Sequence, residues 1–153
     1  MTGLTLSVRL KKRCELFGNL LMLINDFSSE INYLAKPVDE IVIELRKSGK
    51  YERVSFISIC VDLINSGHDF PEAWCFAIDR CNLPFKAEEK EKLKSLGLII
   101  GRSDINGQNN ALKMYYDFFV SFCKRAEEEK EKYFTMTFVT CFLCGCALFI
   151  LMI

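Results

Sequence analysis

Cys141, Cys144 and Cys146 stand in a C-x-x-C-x-C spacing, which could hold a metal ion through three thiolates. All three lie inside an uncharged apolar run, Tyr133 to Ile153, with no His or acidic residue nearby to complete such a site or support it from outside. Ionised thiolates are costly in apolar surroundings, so the spacing reads as small, weakly polar residues that let helices pack. Cys14, Cys60, Cys75, Cys81 and Cys123 are scattered singly on apolar faces, as buried free thiols are, and suit a reducing compartment. The single histidine, His68, falls in the turn Ser66-Gly67-His68-Asp69, where a solvated side chain is expected. Ser121-Phe122-Cys123-Lys124 matches S-x-x-K but lacks the S-D-N and K-T-G companions that give that pattern meaning. No H-E-x-x-H, G-x-x-x-x-G-K-[ST] or G-x-S-x-G motif occurs. The expectation is a protein without catalytic residues, metal or cofactor.

Charge divides the chain. Its 153 residues balance 20 Lys and Arg against 20 Asp and Glu, and every one of these lies between Met1 and Lys132. The balance disfavours a nucleic-acid binder that relies on a bulk basic field, while leaving room for a local basic patch, and no nucleic-acid partner is expected. The uncharged remainder, Y-F-T-M-T-F-V-T-C-F-L-C-G-C-A-L-F-I-L-M-I, has the length of a transmembrane helix: roughly 20 residues at about 1.5 Å each span about 30 Å, the hydrocarbon thickness of a bilayer. Two units are expected, a cytoplasmic helical bundle over residues 1–132 and a transmembrane helix over 133–153. Lys124, Arg125, Lys130 and Lys132 precede the apolar segment, and the positive-inside tendency then puts residues 1–132 in the cytoplasm.

Periodicity supplies the elements of residues 1–132. Leu10, Phe17, Ile24 and Ile31 recur every seven positions, and Leu20 and Phe27 widen the stripe, which predicts a long amphipathic helix over about 4–36. Leu112, Tyr115, Phe119, Phe122 and Ala126 predict a second long helix, from about 103 onward, that runs from Leu112 directly into the apolar segment without an intervening Pro or Gly. Between them, shorter helices are predicted at 38–47, 52–65, 71–81 and 86–100. The three prolines mark helix starts, two of them followed at once by acids that suit the positive end of the helix dipole: Pro37-Val38-Asp39-Glu40 and Asp69-Phe70-Pro71-Glu72. Ser48-Gly49 and Ser66-Gly67 are the matching stops. The likeness between the Pro37 and Pro71 segments suggests two similar helix pairs packed side by side. No stretch argues for a sheet; the fold class is all-α, a helical bundle with long N- and C-terminal helices.

Two surface groups stand out. Gly101-Arg102-Ser103-Asp104, with Gln108, forms a polar break before the last helix, with Gly101 as a stop, Ser103 as the N-cap and Asp104 in the first turn. It is either a capped turn or a corner that contacts a partner. Arg9, Lys11, Lys12 and Arg13 form a basic cluster, for which lipid head groups are the natural partner if that end of the first helix lies near the membrane.

Leu96-Gly97, Gly101-Arg102-Ser103-Asp104 and Gly107-Gln108, followed by a long charged helix and a terminal apolar helix containing Gly145, closely resemble the stage III sporulation protein AB family of endospore-forming bacteria. Pro37-Val38-Asp39-Glu40 and Pro71-Glu72-Ala73-Trp74 look like that family's two helix starts, and the resemblance covers about Gly3 to Ile153. It implies a bundle similar to the cytoplasmic domain of the type II secretion platform protein F. It also implies membership of the channel complex that joins mother cell to forespore, on the mother-cell side of the cell membrane. The implied partners are the cytoplasmic ATPase, stage III sporulation protein AA, and the other channel subunits. That family has a membrane helix at each end. Here Gly3 to Leu10 looks like the tail of the first one and the junction after it, so residues 1–10 are expected to be the remnant of a truncated or mis-started N-terminal membrane helix. A different expectation is a small tail-anchored regulator that acts by self-association of its apolar helix.

Overall fold

A computed structural model describes residues 2–34 and 36–152, with the side chains of residues 2–6, 34, 145 and 147–152 outside that description. The described chain is all-helical: α1 Thr2–Leu34, α2 Val38–Lys47, α3 Ser55–Asn65, α4 Phe70–Arg80, α5 Ala87–Arg102 and α6 Ile105–Met152. Ile57 to Ile64, the one stretch that could locally pass as a strand, lies within α3.

Boundaries follow from local chemistry. Pro37 sits immediately before α2 with extended backbone (φ −57°, ψ 144°), Asp39 and Glu40 occupy the first turn, and Arg46 and Lys47 the last. Each charge thus meets the end of the helix dipole that favours it. Gly49 (φ 69°) and Gly67 (φ 96°) take the left-handed conformation that ends α2 and α3. In α4, Pro71 falls in the first turn, where its missing N–H removes no helical bond.

The expected start of α3 at residue 52 is corrected to Ser55. Tyr51 is buried, and its hydroxyl donates to Asp26 Oδ2 of α1 at 2.6 Å. That anchor holds the chain in a turn, and the helix begins only beyond it.

Consecutive helices run up and down. Asp26 meets Lys50 and Tyr51 just past the end of α2, Ser55 approaches Cys81, Asp79 pairs with Lys90 while Pro71 lies against Gly101, and Lys86 pairs with Glu129 while Gln108 reaches Ile100, so α4, α5 and α6 are each antiparallel to the helix before. The two long helices close the bundle: Arg13 of α1 pairs with Glu129 of α6, and Asn32 of α1 bonds Asn109 of α6. α1 and α6 are therefore antiparallel partners along most of α1.

The core centres on Trp74. Its ring lies 5.0 Å from Phe56, 5.3 Å from Phe70 and 6.3 Å from Phe27, and its Nε1–H donates to Leu93 O at 2.8 Å. A polar indole N–H can be buried only with such a partner. Gly97 makes room for this arrangement, because a Cβ there would lie 2.1 Å from Trp74 Cδ1. A second aromatic group, Phe17, Phe85, Phe119 and Phe122, joins α1 to α6.

The helical backbone of α6 continues through the expected span. From Phe134 to Cys144 its side chains are turned out of the bundle: Phe134 is 74% exposed and Phe138 66%. Among the described residues no helix is long and apolar enough to cross a membrane. Residue 153 and the side chains of residues 145 and 147–152 of the expected span lie outside the described residues, as do residue 1 and the side chains of residues 2–6 of the expected N-terminal remnant.

Candidate interaction site

The predicted corner occupies the end of the bundle where α5 turns into α6. Its capping differs by one residue from expectation. Asp104, and not Ser103, is the cap: Asp104 Oδ1 accepts the Gly107 N–H at 2.9 Å, and α6 begins at Ile105. The Ser103 N–H still closes the last turn of α5 on Ile99 O at 3.0 Å, so Ser103 belongs to the helix it follows. Gln108 Nε2 donates to Ile100 O at 2.8 Å, satisfying a carbonyl that the end of α5 leaves open. These bonds make the corner a rigid connector.

Gly101 brings α4 against it. A Cβ at Gly101 would lie 2.5 Å from Pro71 Cγ, so the glycine lets the start of α4 seat on the end of α5. A groove of about 470 Å³ results, in which Gly101, Arg102 and Gln108 face Asp39 of α2 and Asp69 and Glu72 at the start of α4. The two Pro-acid helix starts, far apart in sequence, therefore line the same groove as the corner. Partial burial, the neighbouring Asp69 and then Glu40 together push the Asp39 carboxyl above the ordinary aspartate range. The groove is accordingly an acidic surface with one guanidinium, Arg102, at its edge, suited to a partner that brings positive charge. Sequence reasoning singled out both helix starts and the corner but not their meeting, which depends on the antiparallel packing of α4 on α5.

The basic cluster resolves into two parts. Arg9, Lys11 and Lys12 are exposed. Arg13 is not: it is 4% exposed, and its assignment to a membrane-facing cluster is corrected. Its Nη1 donates to Glu129 Oε2 at 2.5 Å, its Nε donates to Glu89 Oε2 at 3.3 Å, and its Nη2 pairs with Glu89 Oε1. Lys86 completes the group through its ammonium to Glu129 and its backbone N–H to Glu89 Oε2 at 2.8 Å.

One buried carboxylate, Glu89, therefore caps α5 and anchors α1 together. Burial by itself would depress the Arg13 guanidinium, but the bonds to Glu89 and Glu129 outweigh it and hold the pKa above the ordinary arginine value. The bond from Lys86, opposed by burial and helped by Arg13, holds Glu129 below the usual glutamate range. Position on α1 explains the split: residues 9, 11 and 12 point outward, whereas 13 shares the inward stripe with Phe17 and Leu20. A carboxylate deep enough to receive it, at residue 89, is visible only in the fold.

Among the described residues no group of three or more His, Cys, Asp or Glu side chains is placed to hold a metal ion. Cys60 is buried, and burial pushes its thiol up to about 12, so it is not a thiolate near neutral pH. His68 is exposed in its turn.

Fold and surfaces together define an all-α, up-and-down bundle with an acidic groove at one end and, at the other, a buried ion-pair group where α6 leaves the bundle. The sequence model of stage III sporulation protein AB matches residues 1–153, and the chain belongs to that family. Membership assigns it a role at stage III of sporulation. No curated protein and no solved structure matches it.

Proposed function

We propose that the chain is a non-enzymatic, membrane-anchored component of the channel complex between mother cell and forespore, and that its acidic groove docks the complex's cytoplasmic ATPase, stage III sporulation protein AA. The groove is the observation that carries this reading. It gathers the α5–α6 corner and both Pro-acid helix starts on one surface, at the end opposite the apolar part of α6. Along α6, 25 residues separate Gln108 from Tyr133, about 37 Å at 1.5 Å per residue. A bundle standing on the bilayer by its C-terminal helix therefore presents the groove to the cytoplasm, clear of the membrane, where a soluble ATPase can reach it.

Anchoring is supported by the outward-turned Phe134, Met136, Phe138, Phe142 and Leu143, a run of large apolar side chains that the bundle does not cover. Lys124, Arg125, Lys130 and Lys132 before them favour the mother-cell cytoplasm for residues 1–132.

The test is binding of the purified ATPase to the full chain held in nanodiscs. The reading expects binding that the variant Asp39→Asn/Asp69→Asn/Glu72→Gln weakens at least tenfold while helicity and melting are retained. An ATPase that ignores the folded, membrane-held chain, or binds the variant equally, would overturn it. Crosslinking that yields only self-association would favour the tail-anchored regulator instead.

A further inference from the structure

Toward the opposite end of the bundle from the acidic groove lies a larger concave surface, of about 730 Å³, on the outer side of α1 between Val8 and Asn19. Arg9 and Lys12 enter it from α1, and Arg53 enters it from the α2–α3 turn. Glu15 is the lone carboxylate on its wall, with Asn19 and Asn82 as further polar side chains. Among the described residues none of the three cations has an ion-pair partner, whereas Arg13 and Lys86 nearby are both paired. Up-and-down packing is what brings Arg53 here: the turn before α3 and the turn after α4 fall at the same end as the start of α1.

Three cations converging on a concavity repel one another unless an anion joins them. Its size suits a headgroup-sized ligand. The surroundings indicate which kind of anion. Val8, 49% exposed, lines the same surface. Antiparallel pairing of Arg13 with Glu129 sets this stretch of α1 beside the part of α6 where charged residues give way to Phe134 and the exposed apolar side chains after it. A cationic pocket with an apolar lip, next to a helix that turns large apolar groups outward, matches the boundary of a bilayer, where phosphate lies just above acyl chain.

We propose that Arg9, Lys12 and Arg53 bind the phosphate of an anionic phospholipid, so that this end of the bundle is seated on the membrane surface and α6 enters the bilayer at a fixed tilt. The site rests on the membrane-anchored reading of α6 and adds a headgroup requirement to it.

Native mass spectrometry of the full chain in an uncharged detergent tests it, with phosphatidylglycerol and phosphatidylcholine titrated separately. Selective retention of phosphatidylglycerol is expected. Each cation near an anionic surface contributes about fivefold to affinity, so Arg9→Gln/Lys12→Gln/Arg53→Gln should lose roughly a hundredfold. All three side chains are exposed, so this variant should keep the wild-type melt. Arg46→Gln/Lys47→Gln/Lys113→Gln removes the same charge from exposed positions elsewhere and should bind as wild type.

Equal retention of the two lipids, or equal loss in both triple variants, overturns the proposal. Displacement of the lipid by millimolar inorganic phosphate also overturns it, since that marks a free-anion site. Carbonate extraction separates this proposal from the anchor. A chain stripped from membranes that still selects phosphatidylglycerol keeps the site and removes the span, and a chain that stays embedded without selecting it does the reverse.

Discussion

Replacing glycine by alanine inside a helix normally stabilises it, by about 1 kcal/mol, because the unfolded chain loses freedom and the helix gains a better former. In this bundle the same substitution should have opposite signs at two positions. Gly18, in α1, has nothing within 4 Å of where its Cβ would stand, so Gly18→Ala should show the ordinary gain. At Gly97 the added carbon would lie 2.1 Å from Trp74 Cδ1 and 2.5 Å from both Cγ and Nε1.

The indole has no easy retreat. Phe27, Phe56 and Phe70 surround it, and its N–H is committed to Leu93 O at 2.8 Å. Overpacking of this kind costs about 1–3 kcal/mol. Tilting the ring to relieve it strands a buried N–H, at about 1–3 kcal/mol more. After subtracting about 1 kcal/mol of helix propensity, Gly97→Ala should be destabilised by about 1–5 kcal/mol.

Urea unfolding of the full chain, followed by the fluorescence of its single tryptophan, reads this directly. With a slope of about 2 kcal/mol per molar urea, the midpoint should fall by about 0.5–2.5 M for Gly97→Ala and rise by about 0.5 M for Gly18→Ala. Equal or opposite shifts would refute the claim that contact with Trp74, rather than helix propensity, determines residue 97.

Two further outcomes follow from the charged groups. Arg13→Met leaves Glu89, 2% exposed, buried without its cation, and should cost about 3–5 kcal/mol of unfolding free energy. Arg13→Met/Glu89→Met should recover most of that loss, and a double variant as unstable as the single one would contradict the ion-pair account. In the acidic groove, the Asp39 carboxyl is held above its ordinary value by burial, Asp69 and Glu40, so its ionised form is disfavoured by the fold. The penalty is absent below the unfolded pKa and complete above the folded one. Asp69→Asn should therefore lower the Asp39 midpoint in an NMR titration, with any stability gain present at neutral pH and vanishing as pH falls through the ordinary aspartate range. An unmoved Asp39 midpoint would separate the two helix starts and dissolve the groove.

Helices of this protein are written locally. Apolar spacing, Pro37 and Pro71 with their following acids, and Gly49 and Gly67 as stops each act within one or two turns, so α2 was predicted at its observed limits and α4 and α5 within two residues at each end. Departures occur where a distant contact overrides a local preference. Tyr51 is drawn down to Asp26 and delays α3, and Asp104 takes the cap from Ser103 because the Ser103 N–H stays with α5.

Residues 133–153 identify themselves by composition, since a charge-free apolar run of that length is a property of the chain alone. Which surfaces could meet a partner is different in kind. Asp39, Asp69 and Arg102 are separated by tens of residues, as Arg53 is from Arg9 and Lys12, and only antiparallel packing sets each trio around one concavity. Arg13 makes the same point within a single turn of helix. Its sequence neighbours mark it as surface charge, yet one step of 100° around α1 carries it from solvent to the buried carboxylate of Glu89. Composition and periodicity decide what each helix is; the rotation and register at which helices pack decide which charges remain available to a partner.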